Sequence, residues 1–204
     1  MYRGGPDVMV IVVTGGIGSG KSEVSRILSD RYSCHVYEAD KEVKRLYDKY
    51  DQLVISIEES LKMNLRSESG RFEPSYLAAR IFTDKDALHI VETLVFPYLI
   101  KDFQEYALRN AGNIVFESAT ILDKPRFNGF GDVIILVDAP IETRIERAVR
   151  RDSSSPEKIM DRIRNQRVVS DDPRISYVII NDGSLDELIS KVTAVMGKIL
   201  NDIN

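Results

Sequence analysis

An unbroken apolar run, Val8 to Val13, feeds directly into TGGIGSGKS, and this junction constrains the fold more than any other stretch of the chain. Six apolar residues bounded by turn formers predict a buried strand, and a helical pattern resumes at Ser22. Gly15, four intervening residues, then Gly20, Lys21 and Ser22 give the spacing GxxxxGK(S/T), with the strand before it and the helix after it that a phosphate-binding loop requires.

A triphosphate carries several negative charges, and backbone amides meet it at little cost in organisation. Gly15, Gly16, Gly18 and Gly20 let the loop curl with successive N–H groups turned inward. The positive end of the next helix dipole adds to that field. Lys21 would reach the β and γ phosphates as a point charge, and the Ser22 hydroxyl would hold Mg²⁺, which takes oxygen ligands and keeps several waters. The expected nucleotide contacts of the loop are therefore Gly15, Gly16, Ile17, Gly18, Ser19, Gly20, Lys21, Ser22 and Glu23, with Ser22 the metal ligand.

The rest of the chain fits a layered α/β design. Ser22 to Arg31 puts Val24, Ile27 and Leu28 on one helical face. Cys34 to Tyr37 reads as a second strand, ending at Glu38, Ala39 and Asp40. Two carboxylates then stand where strand gives way to helix, at the carboxyl end where ligands of open α/β sheets bind. Lys41 to Tyr50 continues as a charged helix. From Leu53 to Asn110 the pattern is helical, with Gly70 and Pro74 marking a break and Pro97 a helix start. Strands return at Asn113 to Glu117 and Asp132 to Asp138, separated by a loop, Ser118 to Gly131. Helices follow at Ile141 to Arg151 and at Pro156 to Val169, the latter capped by Ser155. A fifth strand, Tyr177 to Ile180, precedes a closing helix, Leu185 to Leu200. Five strands alternating with helices argue for a mainly parallel sheet covered on both faces.

Composition narrows the function. The chain has 204 residues, 43% of them hydrophobic, enough for one sizeable core with a lobe set between core elements. A net charge of −4 argues against a nonspecific grip on nucleic acid. No segment approaches the ~18 consecutive apolar residues of a membrane span, and Met1 to Asp7 reads as a disordered leader. The single cysteine, Cys34, excludes an internal disulfide and fits a reducing compartment; it reads as a buried structural thiol. His35 and His89 match no metal spacing and no nucleophile pairing.

Between Glu142 and Arg167 lie seven arginines and one lysine against five acids. Arg144, Arg147 and Arg151 fall on one helical face, beside the apolar stripe of Ile141, Ile145 and Ala148, and could point together at one anion. Arginine suits that task, because its planar fork pairs with phosphate oxygens and its charge survives desolvation. Glu117, at a strand end, reads either as an acid that orients water around Mg²⁺ or as one facing solvent.

Four segments taken together resemble the dephospho-coenzyme A kinases over almost the whole chain. TGGIGSGKS is similar to their loop and Glu38-Ala39-Asp40 to their Asp-Ala-Asp segment. RAVRRD followed by DRIRNQ resembles their arginine-bearing lid, and VIINDGSLDEL resembles their closing strand, loop and helix. The resemblance implies a P-loop NTPase fold of α/β class: a three-layer α/β/α core with a five-stranded mainly parallel sheet, a helical acceptor-binding insertion and a helical lid. The core would take residues 1–40 and 111–204, with the lid at about 141–170, and the insertion 41–110.

The resemblance also implies ATP, with Mg²⁺, as phosphoryl donor and dephospho-CoA as acceptor. A cytoplasmic enzyme with no nucleic-acid or membrane partner is expected, its oligomeric state open with a monomer favoured. Asp40 would be the base or orienting acid for the acceptor hydroxyl. Lys21, Arg147 and Arg151 would contact ATP phosphates, and Asn181, Gly183 and Ser184 would lie near adenine. The chain departs from the family pattern at Glu38, where the family has Asp, at Lys44 for Arg and at Phe96 before Pro97 for His. VFESATIL, Val115 to Leu122, also stands where many members carry a Pro-Leu-Leu segment followed by Phe-Glu. The nearest rival is another small-molecule kinase of the same architecture. A guanine-nucleotide switch is disfavoured, because no NKxD and no DxxG segment occurs.

Overall fold

A computed structural model describes residues 8–166 and 171–202; the expected leader, Met1 to Asp7, lies outside them. The chain divides into two compact units, one of Met1–Glu38 with Asn110–Asn204, the other Ala39–Arg109.

The first unit is built on five parallel strands, β1 (Val10–Thr14), β2 (His35–Glu38), β3 (Ile114–Glu117), β4 (Val133–Asp138) and β5 (Tyr177–Ile180), in the order β2-β3-β1-β4-β5. Every residue of β1 is buried, as expected of a central strand covered on both faces. Val13 pairs in register with Glu117 of β3 and with Ile135 of β4. The strand order reverses around β1, so the turn leaving it opens at the carboxyl ends of the strands where parallel sheets bind ligands.

Period-two alternation assigns the two faces. Ile11, Val13, Val115, Ile135, Val137 and Ile179 form one core with Val24, Ile27 and Leu28 of α1 (Lys21–Tyr32) and Leu188, Val192, Met196 and Ile199 of α8 (Leu185–Asp202). On the other face Phe116 stacks on Tyr37 at 5.5 Å between ring centroids and meets Phe130 edge-on at 4.7 Å. Phe127 and Phe130 come from the segment expected to be loop, which contains two short 3₁₀ turns, Ile121–Asp123 and Pro125–Phe127. That segment is a lid of aromatic side chains over the sheet rather than a simple connection.

Burial among the same apolar groups pushes the Cys34 thiol up to about 11, so at neutral pH it is a thiol and a poor nucleophile. Cys34 should therefore react with a thiol reagent such as DTNB at least about tenfold more slowly in the folded protein than in denaturant. Equal rates would contradict its burial.

The second unit is helical: α2 (Ala39–Lys49), α3 (Asp51–Leu61), α4 (Pro74–Thr83) and α5 (Lys85–Arg109). The break expected at Gly70 and Pro74 is present, with Pro74 in the first turn of α4. The start expected at Pro97 is not. Pro97 lies inside the 25 residues of α5, although an interior proline costs roughly 3 kcal/mol. The reason is tertiary. Val91, Val95, Leu99 and Phe103 keep one apolar stripe on both sides of the proline, each at most 6% exposed, and α2, α3 and α4 all pack on this helix. Burying four such side chains offsets the local penalty. Lys49 Nζ also donates to Asp102 Oδ1 of α5 at 2.6 Å.

The arginine-rich stretch forms α6 (Ile141–Asp152) and α7 (Pro156–Asn165) in the first unit. Ser155 caps α7 as expected, its Oγ accepting from the Lys158 N–H at 3.4 Å. The helix ends at Asn165, short of the expected span. Gln166 turns to extended backbone (φ −85°, ψ 115°), and 167–169 lie outside the described residues. No helix among the described residues is long and apolar enough to cross a membrane.

Candidate active site

The turn after β1 is shaped by what its glycines exclude. Gly20 sits at φ 98°, in the left-handed region, and a Cβ there would lie 2.1 Å from Asn181 Nδ2, so no other residue fits without displacement. Helix α1 begins at the next residue with no side chain capping its first turn. Those amide donors and the positive helix end are thus left to an anion. Lys21 folds back over the loop, Nζ donating to the Gly16 carbonyl at 3.2 Å.

Ser22 donates its hydroxyl to Glu117 Oε1 at 2.7 Å. Glu117 is 8% exposed, and its Oε2 has no hydrogen-bond partner among the described residues. Of the two readings of this acid, the solvent-facing one is excluded by its burial. A buried carboxylate oxygen without a donor is costly unless a cation or a bound water meets it. No cluster of three or more His, Cys, Asp or Glu side chains that could hold a metal occurs among the described residues. The oxygen pair of Ser22 and Glu117 therefore suits a hard cation that keeps most of its waters and takes phosphate oxygens, as Mg²⁺ does, rather than an all-protein cage.

Asn181, at 5% exposure, is a brace whose role the sequence did not disclose. Its backbone N–H reaches the Asp138 carbonyl at 2.7 Å, and its Nδ2 donates to the Ser19 carbonyl at 2.9 Å. Arg147 donates Nη1 to its carbonyl at 3.1 Å and Nη2 to its Oδ1 at 3.4 Å. Strand β5, the loop and α6 thus converge on one carboxamide. Around it opens a cleft of ≈ 390 Å³ lined by Gly20, Glu23, Arg147, Gly183 and Ser184, with Leu185 and Leu188 as its apolar wall. Glu23 also pairs with Arg26, and Ser184 is held by Glu187 Oε2 at its N–H, 2.7 Å.

The structure brings the loop, Arg147, Asn181, Gly183 and Ser184 together. The three arginines of α6, which could point together at one anion, each meet a different acceptor in this structure. Arg147 takes Asn181, Arg144 takes the Ile17 carbonyl at 2.9 Å, and Arg151 takes Asp152 at 2.6 Å. Arg162 also reaches Asp152, at 2.7 Å. Hydrogen bonds from Arg151 and then Arg162 hold the Asp152 carboxyl well below the usual carboxylate range. Asp40 is exposed, in the first turn of α2, in the second unit. Two contacts escaped sequence reasoning because they join residues far apart: Ser22 with Glu117, and Ile17 with Gln166, whose Oε1 accepts the Ile17 N–H at 2.7 Å.

The sequence model for dephospho-CoA kinases matches residues 9–187. The chain belongs to the dephospho-CoA kinase family. The dephospho-CoA kinase of Bacteroides fragilis strain YCH46 is 34% identical over 184 residues, 85% of this chain and 84% of that protein. In structure the chain is similar to TT1252 from Thermus thermophilus, with a TM-score of 0.77 and 27% identity, covering 94% of this chain and 98% of that one. The fold is shared with the dephospho-CoA kinase from Campylobacter jejuni, at a TM-score of 0.61 and 20% identity over 94% of this chain and 97% of that one. As a member of the dephospho-CoA kinase family the chain is an ATP-dependent phosphotransferase, and the family match spans the first three resembling segments and all but Leu188 of the fourth. Of the departures, Lys44 lies on α2 and Phe96 on α5, in the second unit, while Glu38 ends β2 in register with Glu117.

Proposed function

We propose that this protein transfers the γ-phosphoryl group of ATP to the ribose 3′-hydroxyl of dephospho-CoA, giving coenzyme A. The observation that carries the reading is the phosphate loop whose Ser22 is tied to a buried, half-satisfied Glu117, in a chain of this family. The protein's contribution is positioning and electrostatics, since phosphoryl transfer asks for little covalent chemistry from the enzyme.

In this reading the loop amides and Lys21 hold the β and γ phosphates, and Gly183 and Ser184 flank the adenine in the cleft beside Arg147. Ser22 and Glu117 would hold Mg²⁺, directly or through its waters. When bound, that ion neutralises charge on the β and γ oxygens. Asp40 would orient the acceptor hydroxyl and accept its proton, and α2 to α5 would bind the rest of the acceptor. Helices α6 and α7 would act as a lid that excludes water, because an open site would hydrolyse ATP. Arg151 would exchange Asp152 for a phosphate as the lid closes. The buried thiol of Cys34 is in keeping with a cytoplasmic enzyme.

Arg147 gives a test of the lid. Replacing it with Ala should lower turnover by about a hundredfold or more, and Lys should rescue poorly because it lacks the planar fork that here spans two acceptors. Full activity in Arg147→Lys would reduce its role to diffuse charge. The acceptor is tested by comparing kcat/KM across dephospho-CoA, AMP, adenosine and small hydroxy acids. Dephospho-CoA should be favoured by at least about a hundredfold, the range that a site built to hydrogen-bond its substrate can supply. A different preferred acceptor would move the chain to the rival small-molecule kinase reading.

A further inference from the structure

One residue of the phosphate loop is gripped through both of the peptides that flank it. The Ile17 N–H donates to Gln166 Oε1 at 2.7 Å, and the Ile17 carbonyl accepts from Arg144 Nε at 2.9 Å. Neither partner belongs to the loop. Arg144 stands on α6, 127 residues away in sequence, and Gln166 directly follows α7, 149 residues away. Gln166 is itself anchored, its Nε2 donating to the Ala119 carbonyl just beyond β3 at 3.3 Å.

Arg144 is pressed against the same turn. It is 9% exposed, its Nη1 lies 3.7 Å from Asp138 Oδ1, and its Nη2 is buried with no hydrogen-bond partner among the described residues. A Cβ at Gly16 would lie 2.0 Å from that Nη2, and one at Gly18 would lie 2.1 Å from the Arg144 carbonyl oxygen. The loop glycines are therefore demanded by the arginine as well as by any anion.

A run of glycines does not choose a shape by itself, since each pays a large conformational entropy when ordered. Its amides serve a phosphate only when its peptides are turned the right way. We propose that Gln166 and Arg144 are positioning residues that fix the two peptides flanking Ile17 and so set the loop for triphosphate, coupling the ends of α6 and α7 to nucleotide affinity. Ile17 then acts through the orientation of its two flanking peptides, its N–H committed to Gln166. The inference rests on the reading of the loop as the ATP site.

Gln166→Met in the full chain keeps the side-chain length and removes both polar atoms. Ile17 amide exchange, followed by NMR, should quicken at least about tenfold, and the ATP dissociation constant by calorimetry, without acceptor, should rise about tenfold, as for one lost hydrogen bond of ordinary strength. The KM for dephospho-CoA should stay within about twofold, the split expected of a residue acting on nucleotide alone. Gln166→Glu, which keeps an acceptor for the Ile17 N–H, should restore slow exchange.

Unchanged exchange and ATP affinity in Gln166→Met would overturn the proposal. So would a matching rise in the acceptor KM with a lower melting temperature, which would mark a merely structural role. A parent protein that binds no ATP would overturn the ATP-site reading and this inference together, whereas a parent that binds ATP as tightly as the Met variant overturns the inference alone.

Discussion

Lys21→Ala should lower turnover by about a hundredfold to a thousandfold, the usual cost of removing one charge aimed at a developing anion in a closed site. The effect should fall on chemistry rather than on folding. In the structure Lys21 makes a 3.2 Å hydrogen bond to the Gly16 carbonyl, and one such bond contributes only about 1 kcal/mol net. The apolar core around β1 does not include it. A variant that melts within a few degrees of the parent yet is nearly inactive is therefore expected from steady-state kinetics read beside a thermal melt. Parent-like turnover in a stable Lys21→Ala protein would mean that the loop is not where the transferred phosphates sit.

The second large effect is expected at Asp40. A carboxylate there can accept the proton as the acceptor hydroxyl attacks, and it can hold that oxygen in line with the γ-phosphorus; in a loose transition state orientation matters at least as much as basicity. Asn keeps the shape but cannot take a proton. Asp40→Asn should cut turnover by about a hundredfold to ten-thousandfold while ATP affinity, set by the loop, changes little. The competing explanation is that Asp40 only favours the start of a helix. It lies within the first turn of α2, where an acidic side chain interacting with the helix dipole is worth about 0.3–1 kcal/mol. That role predicts a small loss of stability and near-normal activity. Turnover within about threefold of the parent, well short of the loss of an acid or base, would leave Asp40 with the helix alone.

The sheet was legible wherever local pattern and tertiary burial agree. β5 was expected at Tyr177 to Ile180 and occupies those residues, because a short apolar run between turn formers has no competing local fate. Pro97 shows the opposite case. The local rule starts a helix at a proline, but the apolar stripe from Val91 to Phe103 continues through it, and packing outweighs one missing hydrogen bond.

At the site, the loop's function is written in its own spacing, since the phosphate grip is a local backbone device. The supporting contacts are not. The Ser22–Glu117 pair spans 95 residues, and the grip of Asn181 on the Ser19 carbonyl spans 162; only parallel pairing of β3, β1, β4 and β5 brings them together. The arginine face of α6 was visible as a periodicity, but periodicity carries no information about which acceptor each guanidinium meets. Arg144 shows the limit: its place in a helix wheel allowed it to share one anion with Arg147 and Arg151, and its surroundings make it a buried clamp on the loop.

Incubating the purified protein with ATP, Mg²⁺ and dephospho-CoA, following ADP release, and locating the phosphate on the product by ³¹P NMR decides whether the protein is this kinase. The expected result is ADP formation that depends on the acceptor, in equal amount to a product phosphorylated at the ribose 3′-oxygen. ADP release that is the same without dephospho-CoA, or a phosphate found at any other position, would contradict it.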